Sequence, residues 1–131
     1  MADPTIAPYG SWKSPLTSNL IVTGMIGLME TALDGTAVYW IESRASEGGR
    51  HVIVRYTPDG QIVDVTPPEF NARTRVHEYG GGAYVVAHGT VYFAHFADQR
   101  LYSQAPGAAP QPLTDVCCRT RQRRTRGISP L

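Results

Sequence analysis

Short runs of alternating apolar and polar residues make up most of the chain, and turn-forming residues separate them. The run from Ala32 to Glu42 places Asp34-Gly35 between two segments rich in β-forming residues. That pattern is typical of a hairpin, because a type I′ turn needs positive φ at both central positions. Strand-like segments at His51–Tyr56 and Gln61–Val65 follow, on either side of the turn Thr57–Gly60. The first half therefore predicts a series of antiparallel strands.

The same order of segments recurs in the second half of the chain. Residues 83–87, the turn at 88–90 and residues 91–94 match the first hairpin, and residues 101–104 and 111–114 match the later strands. The matched positions lie 54 residues apart at Gly35 and Gly89, and 48 apart at Thr66 and Thr114. Repeats of about 40 to 50 residues with four strands each are typical of β-propeller blades. We therefore predict an all-β protein with about two four-stranded antiparallel blades of an incomplete β-propeller.

The composition and the repeat predict four regions. Residues 1–18 should form an irregular, extended N-terminal arm, because prolines interrupt it, and Tyr9 and Trp12 should anchor this arm by burying their rings. Residues 19–75 should form the first blade, in which Leu20–Val22 begins an apolar strand, with a short helix in this region as the alternative, and residues 76–114 should form the second. Residues 115–131 remain as a basic tail that we expect to be disordered or frame-shifted.

The charge distribution separates this tail from the rest of the chain. Residues 1–114 carry seven Lys and Arg against ten acidic residues, whereas the last seventeen residues carry five Arg and one Asp. Arginine-rich segments can bind nucleic acid by neutralising phosphates, but this tail has no interleaved aromatic residues, so nucleic acid is not the expected partner. Its adjacent Cys117 and Cys118 suit neither a disulfide framework nor a zinc site.

The location predicted from the sequence is the cytoplasm, without a membrane partner. No apolar run reaches the roughly 18 to 20 residues of a membrane span, and the first residues lack the features of a signal peptide. No cofactor is expected, and the four histidines lack the compact spacing of zinc ligands.

The stretch from Val76 to Tyr84 carries the candidate binding residues. His77, Glu78 and Tyr79 would line a central channel or contact another domain, and Gly80, Gly81 and Gly82 would form a structural turn. An alternative stays open, in which the polar side chains only cap a bend through backbone hydrogen bonds. In that interpretation, the glycines let the innermost strand of the second blade approach its neighbours closely.

Four segments together resemble a known family: the run from Arg73 to Tyr84 that contains Arg-Val-His-Glu-Tyr-Gly-Gly-Gly, the loop 46–50, the turn 57–60 and residues 98–102. They resemble the N-terminal propeller of bacterial members of the prolyl oligopeptidase family of serine peptidases, in particular the acylaminoacyl-peptidase or dipeptidyl-aminopeptidase-like branch. The similarity covers roughly residues 8 to 114. It implies a ring of blades over a C-terminal α/β-hydrolase domain, whose serine, aspartate and histidine cleave short peptides.

The sequence departs from this family because it contains no Gly-x-Ser-x-Gly nucleophile motif. No catalytic residue can therefore be assigned to the chain. We expect a truncated fragment of a substrate-gating propeller that is inactive alone, with its own hydrolase domain and short peptides as the parent's partners. A propeller ring closes with about four to eight blades, so a fragment of two should expose apolar faces and self-associate. The alternative is a self-standing β-sheet interaction or binding module without enzymatic activity.

Overall fold

The regular structure is almost entirely β-strand, arranged as two four-stranded antiparallel sheets. A computed structural model describes residues 6–11, 14–76 and 81–115. Each sheet is a meander in which neighbouring strands follow one another along the chain. The first blade contains β1 (Ile26–Asp34), β2 (Ala37–Arg44), β3 (Arg50–Tyr56) and β4 (Ile62–Asp64), and the second contains β5 (Tyr84–Ala87), β6 (Thr90–Ala94), β7 (Leu101–Gln104) and β8 (Gln111–Pro112). The predicted all-β fold of two incomplete-propeller blades is confirmed.

The hairpins form at the turn sequences that predict them. His88 and Gly89 between β5 and β6 have φ of 51° and 75°. In the first hairpin Gly35 has φ of 60°, but Asp34 is the last residue of β1 and has no positive φ, so the predicted type I′ turn centred on Asp34-Gly35 is wrong, although the hairpin forms there. A 3₁₀ turn at Ala45–Glu47 ends on Gly48 in the left-handed conformation and leads into β3. These turns set the registers in which Tyr39 faces Arg55 in the first sheet and Tyr84 faces Phe93 in the second.

One hydrophobic core lies between the two sheets. Alternate residues of β2 and β3 point towards alternate residues of β5, β6 and β7, since successive side chains of a strand lie on opposite faces. Phe70, from the segment that connects the sheets, contacts Phe93 and Tyr102 edge to face, with ring centroids 5.8 and 5.1 Å apart. The buried members of the core are Tyr39, Ile41, Ile53, Ala72, Ala83, Tyr84, Val91, Phe93 and Tyr102.

The prediction of a strand at Leu20–Val22 is wrong, because these residues belong to the helix α1 (Ser18–Val22). The Thr17 side chain caps this helix by accepting a hydrogen bond from the Leu20 N–H at 3.1 Å, and threonine is a favoured N-cap residue. The strand begins only at Ile26, after Gly24 with φ of 74°. Among the described residues, no helix has the length and apolar character needed to cross a membrane.

The proposed anchoring of the N-terminal arm by Tyr9 is also wrong. Tyr9 is 99% exposed, so its ring is not buried against the sheets. Pro8 and Gly10 flank it in a tight turn closed by the Ser11 N–H on the Pro8 carbonyl at 3.1 Å. Trp12, the second proposed anchor, and the tail beyond Asp115 lie outside the described residues.

Candidate functional site: the junction between the two blades

The residues that connect the two sheets are concentrated in three places, which together we call the junction; a separate hydrogen bond runs from Gln104 Nε2 to the Val65 carbonyl at 2.7 Å. The first is a bulge in β1, where the pairing with β2 shifts between Met29 and Ala32 and Glu30 has φ of 45°. A bulge turns a side chain away from its normal direction. Here the Glu30 carboxylate accepts the Ala83 N–H at 3.0 Å, and the Glu30 carbonyl accepts the Tyr84 hydroxyl at 2.7 Å. The bulge thus binds β1 to the start of β5.

Burial governs the ionisation of Tyr84 at this point of the junction. Tyr84 is 7% exposed, and this burial, together with the nearby Glu30 carboxylate, raises the pKa of Tyr84 to about 12. The hydroxyl therefore stays protonated at neutral pH and acts as a hydrogen-bond donor to the Glu30 carbonyl.

The second connection joins the two hairpin turns. The Asp34 carboxylate accepts the His88 N–H at 3.2 Å and also accepts the Gly89 N–H. Since His88 and Gly89 both have positive φ, their N–H groups point in nearly the same direction and suit one carboxylate. Hydrogen bonds to a charged acceptor contribute roughly 1.5 to 3 kcal/mol each, so this contact fixes the position of the second hairpin against the first.

The third connection is the segment 71–73, which runs from one sheet to the other at the end that lies opposite the two hairpin turns. On the first blade, the His51 N–H donates to Asn71 Oδ1 at 3.1 Å, and the His51 carbonyl accepts the Ala72 N–H at 2.9 Å. On the second blade, the bonds run from Asn71 N to His95 Nδ1 (3.1 Å), from Arg73 N to the Ala94 carbonyl (3.0 Å) and from Phe96 N to the Asn71 carbonyl (2.9 Å). Segment 71–73 therefore forms five hydrogen bonds that hold both sheets.

An ion-pair cluster lies on the first blade, at the ends of its strands. The Arg44 guanidinium binds both carboxylate oxygens of Asp64, at 2.7 and 2.6 Å, and its Nε donates to Glu42 at 2.9 Å. The hydrogen bonds from Arg44 lower the pKa of Asp64, although burial opposes the shift. Arg44 stands at the end of β2 and Asp64 at the end of β4, so the pair fastens the outermost strand to the sheet.

Four of the predicted site residues, His77, Glu78, Tyr79 and Gly80, lie outside the described residues, and the binding role of the first three stays a prediction. Gly81 and Gly82 are described, with φ of 101° and 67°, and a Cβ at either position would meet no atom within 4 Å. Backbone conformation, not close approach of a neighbouring strand, is therefore the reason for glycine at these two positions.

The residues before this stretch form a small cationic group. The guanidinium groups of Arg73 and Arg75 lie 4.9 and 4.3 Å from the centre of the Phe96 ring. Burial, followed by the positive charge of Arg73, lowers the pKa of His51. Within the part of the chain that the structure describes, no three His, Cys, Asp or Glu residues lie together as possible metal ligands.

Sequence reasoning missed the junction residues Glu30, Asp34 and Asn71. Asp34 is part of the predicted hairpin turn, but its bonds to a turn 54 residues later depend on how the sheets pack. The sequence around Glu30 does not indicate its role, since the position of a β-bulge cannot be predicted from a run of apolar residues. The repeat itself was the available signal, because two blades that pack face to face must have contacts between equivalent turns.

Two four-stranded meanders packed face to face around one core are typical of neighbouring blades of a β-propeller. No protein-family model matches the sequence, and no curated protein matches it. Several solved structures match the chain. A puromycin-hydrolysing peptidase from Mycobacterium tuberculosis is 35% identical over 85% of this chain, with a TM-score of 0.68. Puromycin hydrolase is 37% identical over 85% of the chain, with a TM-score of 0.71, and a mutant of puromycin hydrolase complexed with PGG is 38% identical over 82%, with a TM-score of 0.70.

These similarities confirm the resemblance: the chain is similar to a part of puromycin-hydrolysing peptidases of the prolyl oligopeptidase family. The chain spans 18% of the length of each of these structures. It therefore corresponds to a small part of their length, and the two blades are the part that it shares with them.

Proposed function

We propose that the chain forms part of the substrate-gating propeller of a prolyl-oligopeptidase-like serine peptidase and has no peptidase activity by itself. The observation that carries this proposal is an identity of 35 to 38% to puromycin-hydrolysing peptidases, over more than four fifths of this chain but 18% of theirs. By the same similarity, the whole enzyme would act on puromycin or on short peptides, as a member of the acylaminoacyl- or dipeptidyl-aminopeptidase-like branch. Its own α/β-hydrolase domain would be the partner of the propeller.

Apolar side chains are exposed on the outer faces of the two sheets, which supports the proposal that the sheets pack against further blades. Leu28 and Leu33 on the outer face of the first sheet are 71% and 74% exposed, and Val85 and Leu101 on that of the second are 61% and 48% exposed. Each blade of a propeller buries such side chains against the next blade in the ring. We therefore assign both outer faces to contacts with neighbouring blades.

The channel-lining role of His77, Glu78 and Tyr79 is part of this proposal. The stretch that contains them leads into Ala83 and Tyr84, which contact β1 through Glu30. The innermost strands of the blades surround the channel of a propeller, and β1 and β5 are the first strands of their blades. A stretch that enters β5 is thus well placed to face the channel or the hydrolase domain.

The location that we propose is the cytoplasm, without a cofactor. In support, residues 1–116 contain no cysteine, which fits a compartment where disulfides are rare.

A chimeric enzyme tests the proposal. Residues 8–114 would replace the matching segment of a puromycin hydrolase, and puromycin hydrolysis would be measured beside cleavage of peptides of increasing length. We expect the chimera to keep activity on small substrates and to exclude long ones. A matched chimera that carries Asp34→Ala should lose this size selectivity, because the connection between the two hairpin turns is removed.

The chain alone provides the second arm of the test. We expect the purified protein neither to hydrolyse puromycin nor to react with a fluorophosphonate probe for active serines. Turnover by the chain, or a folded chimera that cleaves long and short peptides equally, would contradict the proposal.

One observation favours the alternative of a self-standing interaction module. The two sheets share a buried core that contains Tyr39 and Phe93, at 2% and 1% exposure, so two blades can bury a common set of side chains. A monomeric chain that unfolds in one sharp, cooperative transition would support this alternative over a propeller segment that depends on its neighbours.

A further inference from the structure

The two blades are built alike, so residues of one blade have structural counterparts in the other. Each first hairpin closes on a two-residue turn, between Asp34 and Ala37 in the first blade and between Ala87 and Thr90 in the second. The pairing registers that follow from these turns identify the equivalent positions.

Hydrogen bonds near the outermost strands agree with these registers. Thr66 Oγ1 accepts the Ile53 N–H, and Thr114 Oγ1 accepts the Leu101 N–H, each at 3.1 Å. Leu101 is therefore the counterpart of Ile53.

The junction uses opposite faces of the two blades. The first blade contributes the face that carries Tyr39 and Ile53, and the second contributes the face that carries Val91 and Phe93. One face of each sheet remains free. We call the free face of the first blade the leading face and the free face of the second blade the trailing face.

A row of apolar side chains crosses the leading face. Leu33, Val38, Tyr56 and Ile62 are neighbours across the four strands, and all of them except Val38 are exposed. The counterparts of the first three in the second blade are Val86, Val91 and Gln104. These three pack in the core or are buried. The leading face thus matches the face with which the second blade binds the first.

The trailing face has the complementary arrangement. Its exposed side chains are Val85, Tyr92, Leu101 and Leu113. By the registers and the hydrogen bonds after β4 and β8, their counterparts in the first blade are Ala32, Tyr39, Ile53 and Val65. All four counterparts belong to the core or pack against it.

The two free faces are therefore of the two kinds that meet inside the chain. We propose that a second copy of this chain binds head to tail, with its leading face on the trailing face of the first copy. A heterologous contact of this kind closes a ring when its rotation allows. Since propellers have four to eight blades, a ring needs about two to four copies of two blades each.

Charged residues on the leading face do not oppose this contact. Asp64 lies one row beyond the apolar side chains, where Arg44 pairs with it and with Glu42, so these charges already have partners. A groove of about 430 Å³ beside Trp40 leaves room for side chains of the second copy. The inference rests on the two sheets and not on the proposed peptidase role.

The contact between copies should be weaker than the junction. The counterpart of Asp34 on the trailing face is Ala87, which has no carboxylate to accept hydrogen bonds from the next hairpin turn. We therefore expect reversible association.

Sedimentation of the full chain and of two lysine variants tests the proposal. Leu33→Lys changes the leading face and Leu101→Lys the trailing face, and each would bury an unpaired charge in the contact. The wild-type chain should form a discrete assembly of about two to four copies, and each variant alone should be monomeric. Leu16→Lys, at an exposed leucine of the N-terminal arm, should behave as the wild type.

A mixture of the two variants distinguishes head-to-tail binding from a symmetric contact. Leu33→Lys keeps its trailing face and Leu101→Lys keeps its leading face, so the mixture should form a one-to-one dimer. Nuclear magnetic resonance of ¹⁵N-labelled Leu33→Lys should show saturable shifts in β6 and β7 when unlabelled Leu101→Lys is added, and none when unlabelled Leu33→Lys is added.

Circular dichroism checks that each variant is folded. If either is not, Ile62→Lys and Tyr92→Lys replace them on the same two faces. A monomeric wild-type chain would overturn the proposal and leave the faces to blades of another polypeptide. Association of either variant alone, a mixture without saturable shifts, or a mass that grows without limit as the concentration rises would also overturn it.

Discussion

Replacement of Tyr84 by phenylalanine should measure how strongly the β1 bulge holds the two blades together. The substitution removes one hydroxyl from a side chain that is 7% exposed and breaks its 2.7 Å hydrogen bond to the Glu30 carbonyl. A typical buried hydrogen bond contributes about 0.5 to 1.5 kcal/mol, and an acceptor left without its partner adds to the loss. We therefore expect Tyr84→Phe to lower the free energy of unfolding by about 1 to 2 kcal/mol.

Urea unfolding followed by circular dichroism is the assay, and the midpoint should fall by about 1 M urea for a slope near 1 to 2 kcal/mol/M. The matched control is Tyr92→Phe, at a tyrosine that is 38% exposed on the outer face of β6, with an expected effect below about 0.5 kcal/mol. Equal effects of the two substitutions would refute the role of the Tyr84 hydroxyl.

The raised pKa of Tyr84 gives a second measurement. The ordinary pKa is 10.0 and the folded value is about 12, so the folded state favours the protonated hydroxyl. The stabilisation is complete below pH 10 and is lost as the pH rises towards 12. In Tyr84→Phe, this alkaline loss of stability should disappear, which pH-dependent urea midpoints would detect.

Three further predictions concern other parts of the structure. Gly81→Val should destabilise the fold by about 1 to 3 kcal/mol, because φ at Gly81 is 101°. Gly27→Ala, where φ is not positive and the nearest atom to a Cβ lies at 3.5 Å, should change stability by less than about 0.5 kcal/mol; similar thermal melts for both variants would contradict this reasoning. Arg44 lowers the pKa of Asp64 below its ordinary 3.8. The ion pair therefore stabilises the fold fully above pH 3.8, and this stabilisation is lost as the pH falls through the lower pKa of the folded state. In Arg44→Met, the urea midpoint should therefore fall less steeply as the pH is lowered. If the decrease at acidic pH is unchanged, other carboxylates cause it. Finally, the chain should self-associate through its exposed apolar faces, and Leu101→Lys should reduce the mass measured by light scattering; a monomeric wild-type chain would contradict this expectation.

The strands were predictable because their signals are local. The Asp34-Gly35 sequence and its counterpart at His88-Gly89 mark where two hairpins form. Both residues of the His88-Gly89 pair have positive φ, whereas in the first pair only Gly35 does. The repeat then gave the number of blades, because each run of alternating residues has a partner in the other half. The helix at Ser18–Val22 was missed since five residues are too few for a periodic pattern to distinguish helix from strand.

The candidate sites were less predictable because they depend on residues that are distant in sequence. Glu30 and Asn71 contact the second blade only after the two sheets pack, and neither belongs to a motif. The sequence pattern directed attention to His77, Glu78 and Tyr79 instead, where charged and aromatic residues precede three glycines. Composition can reveal such a concentration of polar groups, but it cannot reveal the contacts that form between two blades.

The hydrogen bonds of segment 71–73 have a mechanical consequence. If the blades were pulled apart, the bonds that Asn71 and its neighbours form with both sheets would bear the load at the same time as the Asp34 and Glu30 contacts at the other places of the junction. The force would be shared among these points and the hydrogen bond from Gln104 Nε2 to the Val65 carbonyl, so this boundary resists hinge bending. A substitution at one point, such as Asp34→Ala, would loosen the boundary at that place while the other contacts keep the blades attached.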